Sequence, residues 1–206
     1  MAGIDVTQLP FTEAYKILIG TVVPRPVAWV STVDAAGVPN LAPFSFYTAV
    51  CSNPPTVLFC PVTPPDRPEK DTLANIYATR EFVINVATED NVQALNQTSA
   101  PYPAGVSEFE AVGLTALPSL KVKAPRVGES PIQLECKLLQ IIDIGPGGPG
   151  SGKIVIGEVV YAHIDDSVTD GAGHIDITKT KPVSRLAGTD YAPVREIFSL
   201  PRPKSV

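Results

Sequence analysis

The sequence predicts a mainly β fold, an antiparallel barrel with a few peripheral helices. Three observations point there. Proline supplies 22 of the 206 residues, against a typical usage of about 5%. These prolines punctuate short runs of β-branched and apolar residues, and proline is tolerated at strand starts, edges and bulges but not in helix interiors. Two long β-rich runs, 132–144 and 154–165, flank a single loop. Apolar residues make up 44% and charged residues 18%, so the core has ample material. Neither a repeat nor a shift in composition divides the chain, and its length suits one domain over 1–206.

Taken in order, residues 12–19 form a short helix and 27–33 a strand. Asp34-Ala35-Ala36-Gly37 supplies a hairpin-type turn, with glycine for a positive φ. Residues 38–51 continue extended, and Asn53-Pro54-Pro55 closes them before a strand over 56–62. Asp71 or Thr72 caps a helix from about 72 to 80. Residues 82–87 alternate as a strand, 89–98 are helical, and 99–130 are a long irregular stretch. The tail, 166–206, is mixed and ends in a proline-rich segment suited to lying over a partner.

Several function classes are excluded. A net charge of −5 offers no dominant basic surface for nucleic acid. No apolar run approaches the ~18 residues that span a bilayer, and the N-terminus lacks a basic-then-apolar leader pattern. No membrane is expected as a partner, and the expected location is the cytoplasm. Cys51, Cys60 and Cys136 show no C-x-x-C spacing, so neither zinc nor a disulfide framework is implied. Cys51 and Cys60 are expected to be small buried side chains. His163 and His174 have no second ligand at metal spacing and are expected to be structural or solvated. No metal site and no side-chain acid, base or nucleophile constellation is expected.

Two motifs fail on physical grounds. Residues 145–150 satisfy G-x-G-x-x-G, and 147–153 satisfy G-x-x-x-x-G-K. Both signatures need a helix N-terminus after the glycines, to aim free N–H groups at phosphate. Here the chain continues as Ile154-Val155-Ile156, which is strand-like, and two prolines remove donors from the loop. This is a hairpin connection.

The chemistry is expected between Pro24 and Pro61. A strand carrying Val30-Ser31-Thr32 turns back through Asn40-Leu41-Ala42 into Phe44-Ser45-Phe46-Tyr47-Thr48. Small and hydroxylated residues on adjoining strands let a flat ring approach the backbone, whose polar groups read its edge. Lys70-Asp71-Thr72 then joins an ammonium, a hydroxyl and a helix start, a combination suited to phosphate. Each piece also has a plain structural explanation, as core aromatics or an ordinary cap.

The stretches RPVAWVSTVDAAGVPNLAPFSFYTAVCSNPP, KDTLANI with EFVINV, IVIGEVV and KPVSRLAGTDY cover about 20–192. In that order they resemble the FMN-binding split-barrel family, the flavin reductase-like domain that includes flavoredoxins and the reductase partners of two-component monooxygenases. The resemblance implies a six-stranded or similar antiparallel split barrel, paired as a homodimer, with FMN near the interface. It places Ser31 and Thr32 along the flavin, and Asn40, Ala42, Ser45 and Phe46 at the isoalloxazine ring. Thr48, Cys51 and Ser52 match the next strand end, where similar sequences carry serine in place of Cys51. Lys70, Asp71 and Thr72 match a segment near the phosphate, with Asn75 beside it. Arg185 is brought close to the flavin, from this subunit or the other.

The resemblance also implies transfer of hydride or electrons from NAD(P)H through flavin to an acceptor, with an electron-acceptor protein as a further partner. One departure favours an alternative, an FMN-binding electron carrier or store reduced by a protein partner. Short NADH-using reductases carry Gly-Asp-His where this chain reads Gly150-Ser151-Gly152-Lys153. Exchange of FMN for haem or a deazaflavin is a third alternative, opposed by the intact Ser/Thr and Lys-Asp-Thr blocks.

Overall fold

The computed structural model describes residues 3–65, 69–103 and 105–203. Helix α1 (Phe11–Thr21) leads into a short strand β1 (Arg25–Pro26), followed by β2 (Ala28–Val33) and β3 (Pro39–Phe44). The turn between β2 and β3 is the expected one. Asp34 Oδ1 accepts from the N–H groups of Ala36 and Val38, and Gly37 sits at φ +90°. Strands β4 (Tyr47–Ser52) and β5 (Pro55–Phe59), helix α2 (Asp71–Thr79), strand β6 (Glu81–Val86) and helix α3 (Val92–Gln97) come next.

The stretch 99–130 is more ordered than its composition suggests. It contains helix α4 (Glu108–Val112) and a two-stranded ladder, β7 (Ala116–Leu117) with β8 (Arg126–Val127). The long strands β9 (Ile132–Ile144) and β10 (Gly152–Ile164) follow, joined by the glycine-proline loop as an antiparallel hairpin. Helix α5 (Ile177–Thr180) and strands β11 (Val183–Arg185) and β12 (Tyr191–Pro193) complete the elements.

Seven strands form one antiparallel sheet in the order β3-β2-β6-β9-β10-β5-β4. Strands β3 and β4 are neighbours in sequence yet occupy opposite edges. The sheet curls so that these edges meet at the short Ser45–Phe46 link and part beyond it. That gap splits the barrel. A smaller sheet, β1-β11-β12, lies beside it.

The interior is held by apolar alternation along the strands. Ala28 and Val30 of β2 face a cluster with Phe59, Phe82, Ile84 and Val155, and α2 adds Leu73 and Ile76. Phe44, Phe59 and Phe82 stack in succession, with centroids 5.0 and 5.4 Å apart; such pairs add roughly 0.5–1.5 kcal/mol beyond burial. Trp29 points to the other side of β2, among Leu41, Leu95 and Phe109, and its indole N–H donates to Thr98 Oγ1 at 2.9 Å. Gly157 is required by this packing. A Cβ there would come 2.4 Å from Phe82 Cζ, far inside contact distance.

Candidate functional site

The split presents the outer edge of β3 to an open cleft, small at about 60 Å³ and lined among others by Asn40, Ala42, Lys70, Thr72, Tyr102 and Glu108. Lys70 is the N-cap of α2 without a side-chain capping bond, and Asp71 and Thr72 stand in the first turn. The expected Asp or Thr cap is therefore corrected. Asn40 claims the Thr72 hydroxyl instead.

Asn40 is the hub. Its Oδ1 accepts from Thr72 Oγ1 at 2.9 Å and from Thr32 Oγ1 at 3.3 Å, and Asn75 Nδ2 donates to Thr32 Oγ1 at 3.0 Å. On its other side Asn40 Nδ2 donates to Glu108 Oε1 at 2.9 Å, while the Leu41 N–H donates to Glu108 Oε2 at 2.8 Å. The amide orientation follows from these partners. Burial pushes the Glu108 carboxyl above the usual range, the Asp71 charge adds to this, and the bonds from Leu41 and Asn40 oppose it. Lys70 Nζ lies 5.7 Å from the Phe44 ring centroid, farther along the same strand. The first turn of α2 presents the positive end of the helix dipole to the cleft.

At the corner where β3 meets β4, Ser45 and Phe46 are half-buried. Arg25 reaches them from β1: its Nε donates to Ser45 Oγ at 3.4 Å, and its guanidinium lies 5.7 Å from the Phe46 ring. Arg185 pairs opposite Arg25 in the β1–β11 ladder. Thr48, Cys51 and Ser52 run along the exposed edge strand β4. The expectation of a buried Cys51 is thus corrected, since β4 has a neighbour on one side only. Cys60 is half-buried, and desolvation pushes its thiol up.

The structure therefore gathers Thr32, Asn40, Ala42, Lys70, Asp71, Thr72 and Asn75 at one end of the split, and Ser45, Phe46 and Arg185 at the other. Ser31 belongs to neither group. Successive strand residues face opposite ways, and the fully buried Ser31 donates to the Pro125 carbonyl at 2.5 Å on the far side of β2. Sequence reading missed Glu108, because α4 lay in a stretch read as irregular. It also missed Arg25, although an arginine locked between Pro24 and Pro26 beside an apolar strand was a visible signal.

His163 is structural, as expected. Its Nε2 lies 2.6 Å from Oε1 of the fully buried Glu135, which also accepts from the N–H groups of Leu120, Lys121 and Val122. His174 sits in a polar turn against Asp170. No described helix is long and apolar enough to cross a membrane.

A split antiparallel barrel of this kind is the fold of the flavin reductase-like proteins to which the chain is similar. The chain belongs to the flavin reductase-like domain family, whose model matches residues 19–179. An uncharacterized protein of Halalkalibacterium halodurans, BH2278, is 45% identical over 192 residues, 93% of this chain and 91% of that protein. Nitrilotriacetate monooxygenase component B from Bacillus cereus superposes with a TM-score of 0.91 at 36% identity, over 97% of this chain and 98% of that one. The 2-nitrobenzoate 2-nitroreductase NbaA of Pseudomonas fluorescens superposes with a TM-score of 0.89 at 28% identity, over 100% and 98%.

Proposed function

We propose that this chain is an FMN-binding oxidoreductase. It moves hydride or electrons from NAD(P)H through flavin to an acceptor, one domain working as a cytoplasmic homodimer. The supporting observation is the cleft that brings Asn40 and Ala42 of β3 together with Lys70 and Thr72 at the start of α2, on the strand that leads to the Ser45–Phe46 corner. From Asn40 to Ser45 the β3 edge runs roughly 16 Å at ~3.3 Å per residue, which suits a flavin ring with its ribityl phosphate extended.

In this reading Lys70 and the first turn of α2 hold the phosphate, and the small Ala42 side chain lets the ribityl chain pass close to the strand. Asn40, fixed by Glu108, Thr72 and Thr32, keeps that wall rigid. Beyond Lys70 the wall carries the acids Asp71 and Glu108, which suits a ligand ending in one phosphate and favours FMN over FAD. Ser45 and the open β3 edge read the polar rim of the ring, and Phe46 excludes water. Bound flavin accepts a hydride and passes electrons onward, so the protein needs only to orient and tune it. The similar proteins named as a monooxygenase component and a nitroreductase support reductive chemistry. Pairing is supported by the open β4 edge, with Val50 48% exposed, and by the tail, where Phe198 and Leu200 are each 81% exposed.

The purified protein is expected to show flavin absorbance or to acquire it on titration with FMN, more tightly than with FAD. Absence of binding to either sinks the proposal. Anaerobic stopped-flow mixing with NADH or NADPH should bleach the bound flavin, and sedimentation should show a dimer at micromolar protein. Binding without bleaching would select the second reading, a flavin electron carrier reduced by a protein partner. One observation favours that reading: the segment Gly150-Ser151-Gly152-Lys153, which ends in a lysine paired with Asp143 at the start of β10, stands where short NADH-using reductases carry Gly-Asp-His.

A further inference from the structure

A buried cation ordinarily rests on a carboxylate, and Arg25 does not. It is 5% exposed, and its hydrogen-bond partners among the described residues are all neutral. Its Nη1 donates to the carbonyls of Ile19 at 3.0 Å and Val22 at 2.6 Å, its Nη2 to the Leu186 carbonyl at 2.9 Å, and its Nε to Ser45 Oγ at 3.4 Å. Arg185 faces it directly across the β1–β11 ladder, lies 4.5 Å from the Tyr191 ring centroid and donates to the Gly188 carbonyl. Among the described residues no salt bridge joins either arginine to an acid.

Like charges directly opposite on paired strands are destabilising. Desolvation disfavours the charge on Arg25, the Tyr15 phenol opposes that effect, and Arg185 adds to it. The C-terminal carbonyls of α1 that Arg25 caps offset about half an elementary charge. Two positive charges therefore face about half a negative one, at the corner that also holds Ser45 and Phe46.

We infer that Arg25 and Arg185 form a counter-charge site for the negative charge that a bound flavin ring gains on two-electron reduction, and so set its potential. The inference rests on the flavin reading above. A hydride brings two electrons and one proton, and a dihydronicotinamide donor leaves as the nicotinamide cation. The neutral ring that receives the hydride gains one negative charge. A preformed pair of cations favours that state over the oxidised one.

The test compares binding of oxidised and reduced FMN, through the midpoint potential of the complex, in the wild type, R185Q and R185K. In R185Q, binding of the reduced form should weaken tenfold relative to the oxidised form, a fall of about 30 mV for a two-electron couple. R185K keeps the charge and should hold the ratio within twofold. A merely structural role would weaken both forms alike. An unchanged ratio in R185Q overturns the inference while leaving FMN binding intact, whereas a wild type that takes no FMN overturns the flavin reading and this inference with it. If R185Q does not fold, the wild type decides: sodium chloride should weaken reduced-flavin binding more steeply than oxidised, and equal slopes overturn the inference.

Discussion

Glu108 and Glu135 are both carboxylates withdrawn from solvent, 6% and 0% exposed, yet their surroundings treat them oppositely. For Glu135 desolvation works to raise the pKa, but the bonds from His163 and from the Leu120 and Lys121 N–H groups outweigh it and hold the carboxyl below the usual range. Glu108 accepts from the Leu41 N–H, its own N–H and the Asn40 amide, yet desolvation prevails. The difference lies in the neighbours: His163 draws Glu135 down, whereas Asp71 pushes Glu108 up. The carboxylate held low ties a loop to the barrel. The one pushed up sits where a ligand is expected, at a cost to the fold that a structural role alone would not require.

The comparison breaks most visibly at Glu135. Replacing it by alanine strands His163 and three main-chain N–H groups, and should cost about 3 kcal/mol, read from the urea midpoint. Glu108→Gln is milder, about 1 kcal/mol, because fewer donors lose their acceptor, but FMN binding should loosen several-fold as Asn40 loses its anchor. An E108Q protein with undiminished FMN affinity would remove Glu108 from the site.

The pH dependences should have opposite signs. A carboxyl whose folded pKa is raised holds its proton more tightly when folded, so its contribution is greatest below the unfolded value near ~4.3 and is lost as pH rises toward the folded value. Wild-type stability should therefore carry a downward slope just above that pH, which E108Q abolishes. Glu135, with a lowered folded pKa, contributes above ~4.3 and loses that contribution as pH falls through the folded value. E135A should lack that acid-side loss.

Thr72→Ala removes the hydroxyl that holds α2 to Asn40 and should weaken FMN about fivefold, near 1 kcal/mol, as measured by calorimetric titration. The smallest effect is expected at Glu89. Its pKa is also lowered, by the hydrogen bond from Arg195, but the pair is solvated and R195A should not displace the urea midpoint measurably. A clear shift would mean that the tail bears more on stability than its exposure suggests.

Much of the fold was legible because strands and their breakers act locally. Proline, glycine and β-branched runs placed β2, β6, β9 and β10 within a few residues, and the Lys70-Asp71-Thr72 helix start was found. The failures share one physical cause, namely dependence on distant partners. Glu108 acquires its role from Asn40, 68 residues away, and Cys51 is exposed because β4 falls at a sheet edge, which only the strand order reveals. Ser31 shows a local rule instead: side chains alternate along a strand, so the Ser31 and Thr32 hydroxyls face opposite sides of β2.

The unpaired margins of the main sheet have a further consequence. Pro39 and Pro43 lie on β3 and have no hydrogen to donate, so that margin is a poor template for an added strand. Strand β4 carries no such block. The two margins therefore differ in their capacity to take a further strand, and a sheet that can be extended from one side only is protected against runaway fibrous growth.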